Sequence, residues 1–146
     1  MSVSIAFVIT GAIVALAIVC GIFVRAQDGR RRSGGHLQVR SEDLAGSTFD
    51  ETATLVQFST ELCARCPQVR RLLGQIADAH SGVSHVEIDL TNRNDLATRY
   101  HVLQTPTTFL VDASGAVLSR WGGVPHRSAI EDALASVLTL HRQEQK

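Results

Sequence analysis

The sequence predicts an α/β domain in which helices flank a mixed β-sheet, preceded by one apolar helix at the N-terminus. Three observations lead to this fold class. Apolar runs of strand length alternate with segments of helical periodicity from residue 53 onward. An Asp-Ala-Ser-Gly turn at residues 112–115 separates two more strand-like runs, which is typical of a β-hairpin. Finally, no charged residue occurs from Val3 to Val24.

We therefore divide the chain into an apolar segment at 3–24, a linker at 25–35 and a folded domain at 36–146. At about 1.5 Å per residue, the first segment is long enough to cross a hydrocarbon core of about 30 Å as a transmembrane helix. A buried helix of a soluble protein and a cleaved signal peptide are the alternatives. No Lys or Arg precedes the run, and it is longer than an ordinary signal-peptide core.

Arginines follow the apolar segment at positions 25, 30, 31 and 32, and none precedes it. The positive-inside rule then places the folded domain in the cytoplasm of a single-pass protein of the cell membrane, with an extracytoplasmic domain as the alternative. The segment itself would contact the lipid bilayer. The charged and glycine-rich composition of residues 25–35 predicts a flexible linker.

Beyond the linker, the pattern predicts an alternation of strands and helices. Predicted strands cover residues 37–39, 53–59, 83–90, 107–111 and 117–121, and predicted helices run from the cysteine motif to about 80, from 94 to 100 and from 125 to 141. Asn92 or Asn94 is expected to cap the middle helix. A right-handed crossover should make the strands at 53–59 and 83–90 parallel, and the hairpin adds an antiparallel pair.

The sequence Cys63-Ala64-Arg65-Cys66 stands between the strand at 53–59 and the helix that follows it. At a helix start, unpaired backbone N–H groups and the helix dipole stabilise a thiolate. The motif therefore predicts thiol–disulfide exchange. A zinc module that also uses His80 or His85 is a second hypothesis, although the domain has no third cysteine. An interaction module whose cysteines are incidental is a third.

Thr105-Pro106 precedes the predicted hairpin and Gly122-Gly123 follows it. With the cysteine motif, these residues make the chain resemble the thioredoxin family over residues 53–140. The resemblance implies a thioredoxin-like protein that acts as a protein disulfide oxidoreductase, and the apolar segment at 3–24 would make it membrane-anchored. Its partners would be protein disulfide or dithiol substrates and a reductase or other redox donor. No cofactor is implied, because the cysteine pair itself carries the electrons.

The resemblance also assigns roles to residues. Cys63 would be the exposed nucleophile and Cys66 the buried resolving thiol. Thr105 and Pro106, joined by a cis peptide bond, would shape a substrate groove with Gly122 at its far rim.

Some residues depart from the family pattern. Gln57 stands where thioredoxins carry a buried Asp, and His85 stands near the place of its Lys partner, so deprotonation of Cys66 needs water or His85. Leu62 replaces the usual Trp. Arg65 adds positive charge that should lower the pKa of the Cys63 thiol and make the couple more oxidising than thioredoxin, whose potential is about −270 mV. Alternatively, Arg65 points to solvent and has little effect.

Composition excludes little else. The chain has 14 basic and 14 acidic residues and a formal net charge of zero. No basic patch interleaved with aromatic residues is present, so no nucleic-acid partner is expected. Metal binding is not expected either.

Overall fold

A computed structural model describes residues 3–27, 29–44 and 46–144. The helices are α1 (Val3–Gln27), α2 (Cys66–Asp78), α3 (Asn94–Arg99) and α4 (Arg127–Glu144), with a short 3-10 helix at Ser41–Asp43. The strands are β1 (Arg31–Ser33), β2 (Ala53–Ser59), β3 (Val83–Asp89), β4 (Thr107–Val111) and β5 (Val117–Gly122).

The strands form one mixed sheet in the order β1-β5-β4-β2-β3. The pair β2–β3 is parallel and is connected through α2, while β4–β5 is an antiparallel hairpin. Both pairings confirm the sequence prediction. Strand β2 lies between β4 and β3, and all seven of its residues are buried. Because the cysteine motif directly follows β2, the sheet holds the entry to the motif in a fixed place.

Helices cover both faces of the sheet. One face packs against α2 and α4, through an apolar cluster that includes Leu55, Leu73, Leu110, Trp121 and Ile130. The other face packs against α3 and the segment before β2, through a cluster that includes Leu44, Phe58, Leu96, Tyr100 and Phe109. Successive residues of β2 contribute to the two clusters in turn, as a strand buried on both faces must.

The first part of the domain differs from the prediction. Residues 31–33 lie in the expected linker, yet they pair with β5 as an antiparallel edge strand. Backbone hydrogen bonds alone can hold such a strand in the sheet, so the basic side chains of this segment do not predict it. Conversely, the strand expected at 37–39 is reduced to one bridge between Gln38 and Ala116. The predicted Asn cap of α3 is wrong, because Arg93 occupies the N-cap position and makes no capping side-chain bond.

Helix α1 contains the apolar segment, and its side chains are described without a break from residue 7 to residue 23, where all are exposed. Among the described residues, no helix combines the length and the apolar character that a membrane span requires. The transmembrane helix expected over residues 3–24 is therefore not confirmed.

Candidate active site

Cys63 and Cys66 form a disulfide at the N-terminus of α2. Cys66 is the first residue of the helix and is 3% exposed, whereas Cys63 lies in the preceding turn and is half-buried. The helix thus begins three residues later than the start of the motif. Pro67 explains this start, because its fixed φ suits the first helical turn and it has no N–H that would need a partner there. The sulfur of Cys63 is consequently the more accessible of the two.

Backbone hydrogen bonds hold the turn between the strand and the helix. The N–H of Cys63 donates to the carbonyl of Thr60 at 3.1 Å, and the N–H of Cys66 donates to the carbonyl of Cys63 at 3.2 Å. Arg65 is exposed at the N-cap position of α2, and its side chain does not cap the helix. Leu62, next to Cys63, is 97% exposed.

The peptide bond between Thr105 and Pro106 is cis, as the resemblance implied. The hydroxyl of Thr105 is hydrogen-bonded to the hydroxyl of Thr60 at 3.2 Å. Since the carbonyl of Thr60 also accepts the N–H of Cys63, this threonine pair connects the cis-proline loop to the cysteine turn. Leu103, two residues before Thr105, is 95% exposed.

Gly122 ends β5, and its carbonyl accepts the N–H of Gly29 at 2.6 Å. A side chain here would meet the amide of Gln104, because an added Cβ would lie 2.6 Å from its Nε2 atom. The contact to the cis-proline loop comes from the next residue instead. The N–H of Gly123 donates to the carbonyl of Pro106 at 2.7 Å, and the φ of Gly123 is +80°, which favours glycine.

Sequence reasoning thus missed Thr60 and Gly123 as residues that hold the loops of the site together. The glycine pair at the end of the hairpin was a usable signal for the second of them. Nothing in the sequence marks Thr60, because its partner lies 45 residues away along the chain.

Beneath the disulfide, Gln57 uses both ends of its side-chain amide. It is fully buried, and its Nε2 donates to the carbonyl of Cys66 at 3.0 Å. Its Oε1 faces Nε2 of His85 at 3.2 Å. A carbonyl oxygen can only accept, so the amide nitrogen must face Cys66, and His85 must carry its proton on Nε2. Gln57 therefore links His85 to the backbone of the resolving cysteine.

Burial lowers the pKa of His85, and the charge of Arg70 adds to this effect, while Glu87 opposes it. The imidazole is thus mainly neutral near pH 7 and acts as an N–H donor toward Gln57.

Glu87 borders this group and forms an ion pair with Arg70 of α2, in which Nε and Oε2 are 2.5 Å apart. Burial alone would raise the pKa of the Glu87 carboxyl. Hydrogen bonds from Arg70 and Ser59 and the charge of Arg70 outweigh burial, so the pKa is lowered overall. A carboxylate, a neutral histidine and a neutral amide therefore lie together behind the cysteine pair.

Among the described residues, no three His, Cys, Asp or Glu side chains lie close enough together to hold a metal ion. The third cysteine, Cys20, is exposed on α1 and forms no disulfide. The disulfide itself gives this site its chemistry, which is the making and breaking of the bond between Cys63 and Cys66.

The fold and the site together define a thioredoxin-like domain with a cysteine pair that can be oxidised and reduced. The sequence model of the family Thioredoxin matches residues 40–136, and the chain belongs to the thioredoxin family.

The relatives agree with this assignment. The chain is similar to thioredoxin C-2 of Corynebacterium nephridii, with 28% identity over 76 residues, which are 51% of this chain and 70% of the relative. Its fold is similar to that of a mutant thioredoxin from Halobacterium salinarum, with a TM-score of 0.55 and 21% identity over 69% of this chain and 87% of the other. A malarial protein aligns with a TM-score of 0.53 and 17% identity, covering 60% of this chain and 98% of its own.

Proposed function

We propose that this protein is an oxidoreductase that exchanges dithiols and disulfides with protein substrates through Cys63 and Cys66. Membership of the thioredoxin family and the cysteine pair support a disulfide oxidoreductase in general terms. The observation that carries the proposal is the unequal burial of the two cysteines at the start of α2. One sulfur is open to a partner, and the other is held behind it, where it can only complete the exchange.

The exchange proceeds in two displacements. In the reductive direction, the Cys63 thiolate attacks a substrate disulfide, one substrate sulfur leaves as a thiolate, and a mixed disulfide forms. Cys66 then attacks the Cys63 sulfur, the Cys63–Cys66 bond forms, and the second substrate sulfur leaves. Two electrons pass to the substrate, and a redox donor must return them to the pair. Arg65 would favour the Cys63 thiolate and make the couple more oxidising.

Polypeptide substrates are favoured by the surface around Cys63. Leu62 and Leu103 are 97% and 95% exposed, one in the loop that carries Cys63 and the other in the loop that carries Thr105. Exposed apolar side chains beside a reactive group are typical of an interaction surface. We place the substrate segment between these leucines, along Thr105 and Pro106, with Gly122 at the far rim.

The test is reduction of insulin by the full chain, with dithiothreitol as the electron source. Cys63→Ser should abolish the activity above the uncatalysed rate. Cys66→Ser that is reduced first and then freed of dithiothreitol should accumulate a mixed disulfide with insulin, which mass spectrometry detects. Cys20→Ser is the matched control and should retain the parental rate. Retention of activity by Cys63→Ser, or failure of the parent to reduce insulin, would overturn the proposal.

We further propose that α1 tethers the domain to the cell membrane, with the domain on the cytoplasmic side. The absence of charge from Val3 to Val24, the exposed apolar side chains of α1 and the arginines after it support this placement. Intact cells that express the Cys20→Ser variant can be treated with a membrane-impermeant thiol reagent after mild reduction. Cys63 should be labelled only after lysis, and the chain should resist alkaline extraction. Labelling of Cys63 without lysis would contradict the cytoplasmic orientation. Release of the chain by alkaline extraction would contradict the membrane tether.

A further inference from the structure

Two arginines face each other across the last two strands at one edge of the sheet. Arg32 of β1 lies directly opposite Arg120 of β5. Directly opposed side chains project from the same face with Cβ atoms about 5 Å apart, and like charges in this arrangement destabilise the strand pair. Among the described residues, no carboxylate forms an ion pair with either arginine. The fold thus brings two positive charges together without a protein counter-ion from the part of the chain that the structure describes.

The guanidinium of Arg120 is held in place by neutral groups. Its Nη2 donates to the carbonyl of His101 at 3.0 Å, and its Cζ lies 5.2 Å from the centroid of the Phe109 ring. His101 has a φ of +49°, in the left-handed region where residues other than glycine are uncommon. Burial lowers the pKa of the Arg120 guanidinium, and the charge of Arg32 adds to this effect. The contacts with His101 and Phe109 therefore fix the position of a cation whose other N–H donors remain open to a ligand.

An open cleft of about 350 Å³ adjoins this guanidinium, and its lining consists of Gly34, His36, Leu37, His101 and Arg120. The ionisable side chains of this lining are all basic, namely one arginine and two histidines. Gly34 brings the wall of the cleft against β5, because an added Cβ would lie 1.8 Å from the carbonyl oxygen of Val117. The carbonyl of Leu37 then accepts the N–H of Val117 at 2.9 Å. The segment after β1 is therefore a defined wall of the cleft.

A phosphate group matches the charge and the donors of this site. Guanidinium groups present planar sets of N–H donors that fit phosphate oxygens. A phosphate monoester carries a charge of about −1.5 to −2 near pH 7 and can neutralise two arginines, whereas a carboxylate neutralises one. The imidazoles of His36 and His101 add N–H donors. We propose that Arg32, Arg120 and the cleft beside them bind a phosphate group, either of a free phosphate ester or of a lipid headgroup.

The site is separate from the cysteine pair but borders the substrate groove. Arg120 projects from the face of the sheet that packs against α3, two residues before Gly122. His101 lies two residues before the exposed Leu103 in the segment that leads to the cis-proline loop. A lipid headgroup is one source of the phosphate because α1 ends at Gln27, four residues before β1 begins. The proposed tether would keep the site close to the bilayer surface.

The test is isothermal titration calorimetry of the full chain in a non-ionic detergent near pH 7, with the ionic strength held constant by chloride. Inorganic phosphate and a water-soluble phosphatidate with short acyl chains are the two probes, and both should bind with saturation. Arg32→Gln should weaken their binding by about tenfold to hundredfold, which is the loss expected for one hydrogen bond between charged groups. Equal affinity for the two probes assigns the site to free phosphate esters. At least about tenfold tighter binding of phosphatidate assigns it to a lipid headgroup.

A matched control separates a specific site from general attraction between opposite charges. Arg71→Gln removes the same charge from an exposed position of α2, on the other face of the sheet, and should retain the parental affinity. The inference is overturned if neither probe binds to the parent, or if Arg71→Gln weakens binding as much as Arg32→Gln.

A second measurement excludes loss of binding through unfolding. Arg32 is exposed, and its replacement relieves the contact between like charges. Without phosphate, Arg32→Gln should therefore be at least as stable as the parent in urea unfolding, although it binds phosphate less well. A variant that is less stable than the parent in the absence of phosphate would contradict the unfavourable pairing of Arg32 with Arg120 on which the inference depends.

Discussion

Gln57 and Phe58 are neighbours on β2, both are fully buried, and they serve opposite faces of the sheet. Phe58 packs against the rings of Tyr100 and Phe109, with centroid distances of 5.4 and 4.8 Å. Gln57 contacts Cys66 and His85 through hydrogen bonds. One strand therefore supports two interiors of different character, one apolar and one interrupted by polar groups.

The two faces of the sheet also differ in whether their buried polar atoms have hydrogen-bond partners. On the face of Phe58, the hydroxyl of Thr107 donates to the carbonyl of Gln104 at 2.7 Å, and the hydroxyl of Tyr100 donates to Asp43 at 2.5 Å. On the face of Gln57, the hydroxyl of Thr108 and the indole N–H of Trp121 have no hydrogen-bond partner among the residues that the structure describes. The first arrangement stabilises the fold, whereas the second lowers stability where the chemistry of the cysteines takes place.

Removal of the Phe58 ring should have the largest effect on stability. Phe58→Ala creates a cavity between two aromatic rings and should lower the free energy of unfolding by about 3–5 kcal/mol. Urea unfolding followed by circular dichroism measures this loss. Phe58→Leu keeps most of the volume and should cost less than about 1.5 kcal/mol.

The Phe58→Leu variant also tests whether the two faces differ in function. The folded Phe58→Leu protein should keep the parental redox potential against glutathione, because its change lies on the face away from Cys66. A shifted potential in this variant would break the distinction between the faces.

A charge at Gln57 should have an intermediate effect on stability and a specific effect on the cysteines. Gln57→Glu places a carboxylate against the carbonyl of Cys66 and should cost about 1–3 kcal/mol. Negative charge disfavours a thiolate, so the pKa of the Cys63 thiol should rise and the potential should become more reducing. Gln57→Met also loses the hydrogen bond to Cys66, and in addition the one from His85, without adding charge. It should be destabilised by a similar amount with an unchanged potential, and an equal shift in both variants would contradict the electrostatic reason.

Most of the framework could be predicted from the sequence. The predicted bounds of β2 and β4 match the structure, because apolar runs with turn signals on both sides define a strand locally. Strand β1 could not be predicted, since backbone pairing with a strand almost 90 residues away leaves no local pattern in Arg31–Ser33. The ion pair of Asp43 with Arg99, at 2.7 Å, was missed for the same reason.

The site was predictable where a motif specifies it. The cysteine pair and the cis-proline loop were identified from short motifs, and the structure contains both the disulfide and the cis bond. The alignment of four facing side chains across the sheet beneath Cys66 was not predictable. It exists only because the registers of four strands bring Glu87, Gln57, Thr108 and Trp121 into line, and register depends on the whole sheet.

The smallest expected effect concerns the pH dependence of the free energy of unfolding. We expect the face of Gln57 to contribute more to this dependence than the face of Phe58, because the face of Gln57 contains His85. Burial lowers the pKa of His85 in the folded protein below its unfolded value of about 6.5. Between these two pKa values the unfolded chain binds more protons, so the stability associated with neutral His85 is present above about pH 6.5 and declines as the pH falls toward the folded pKa. Glu87 affects the stability of the fold in a lower pH range. Its pKa is also lowered, so its contribution is present above the unfolded value of about 4.3 and is lost as the pH falls through the folded pKa.

His85→Gln should therefore flatten the decline of stability between pH 7 and about pH 5 without removing the decline at more acid pH. The glutamine can still donate an N–H to Gln57, so the stability at pH 7 should change little. Urea unfolding at a series of pH values measures both windows. The matched control is His36→Gln, which replaces an exposed histidine and should leave the parental slope between pH 7 and about pH 5. If His85→Gln shows that same slope, neutral His85 does not contribute to stability, and the polar face of the sheet is no more sensitive to pH in this range than the apolar face.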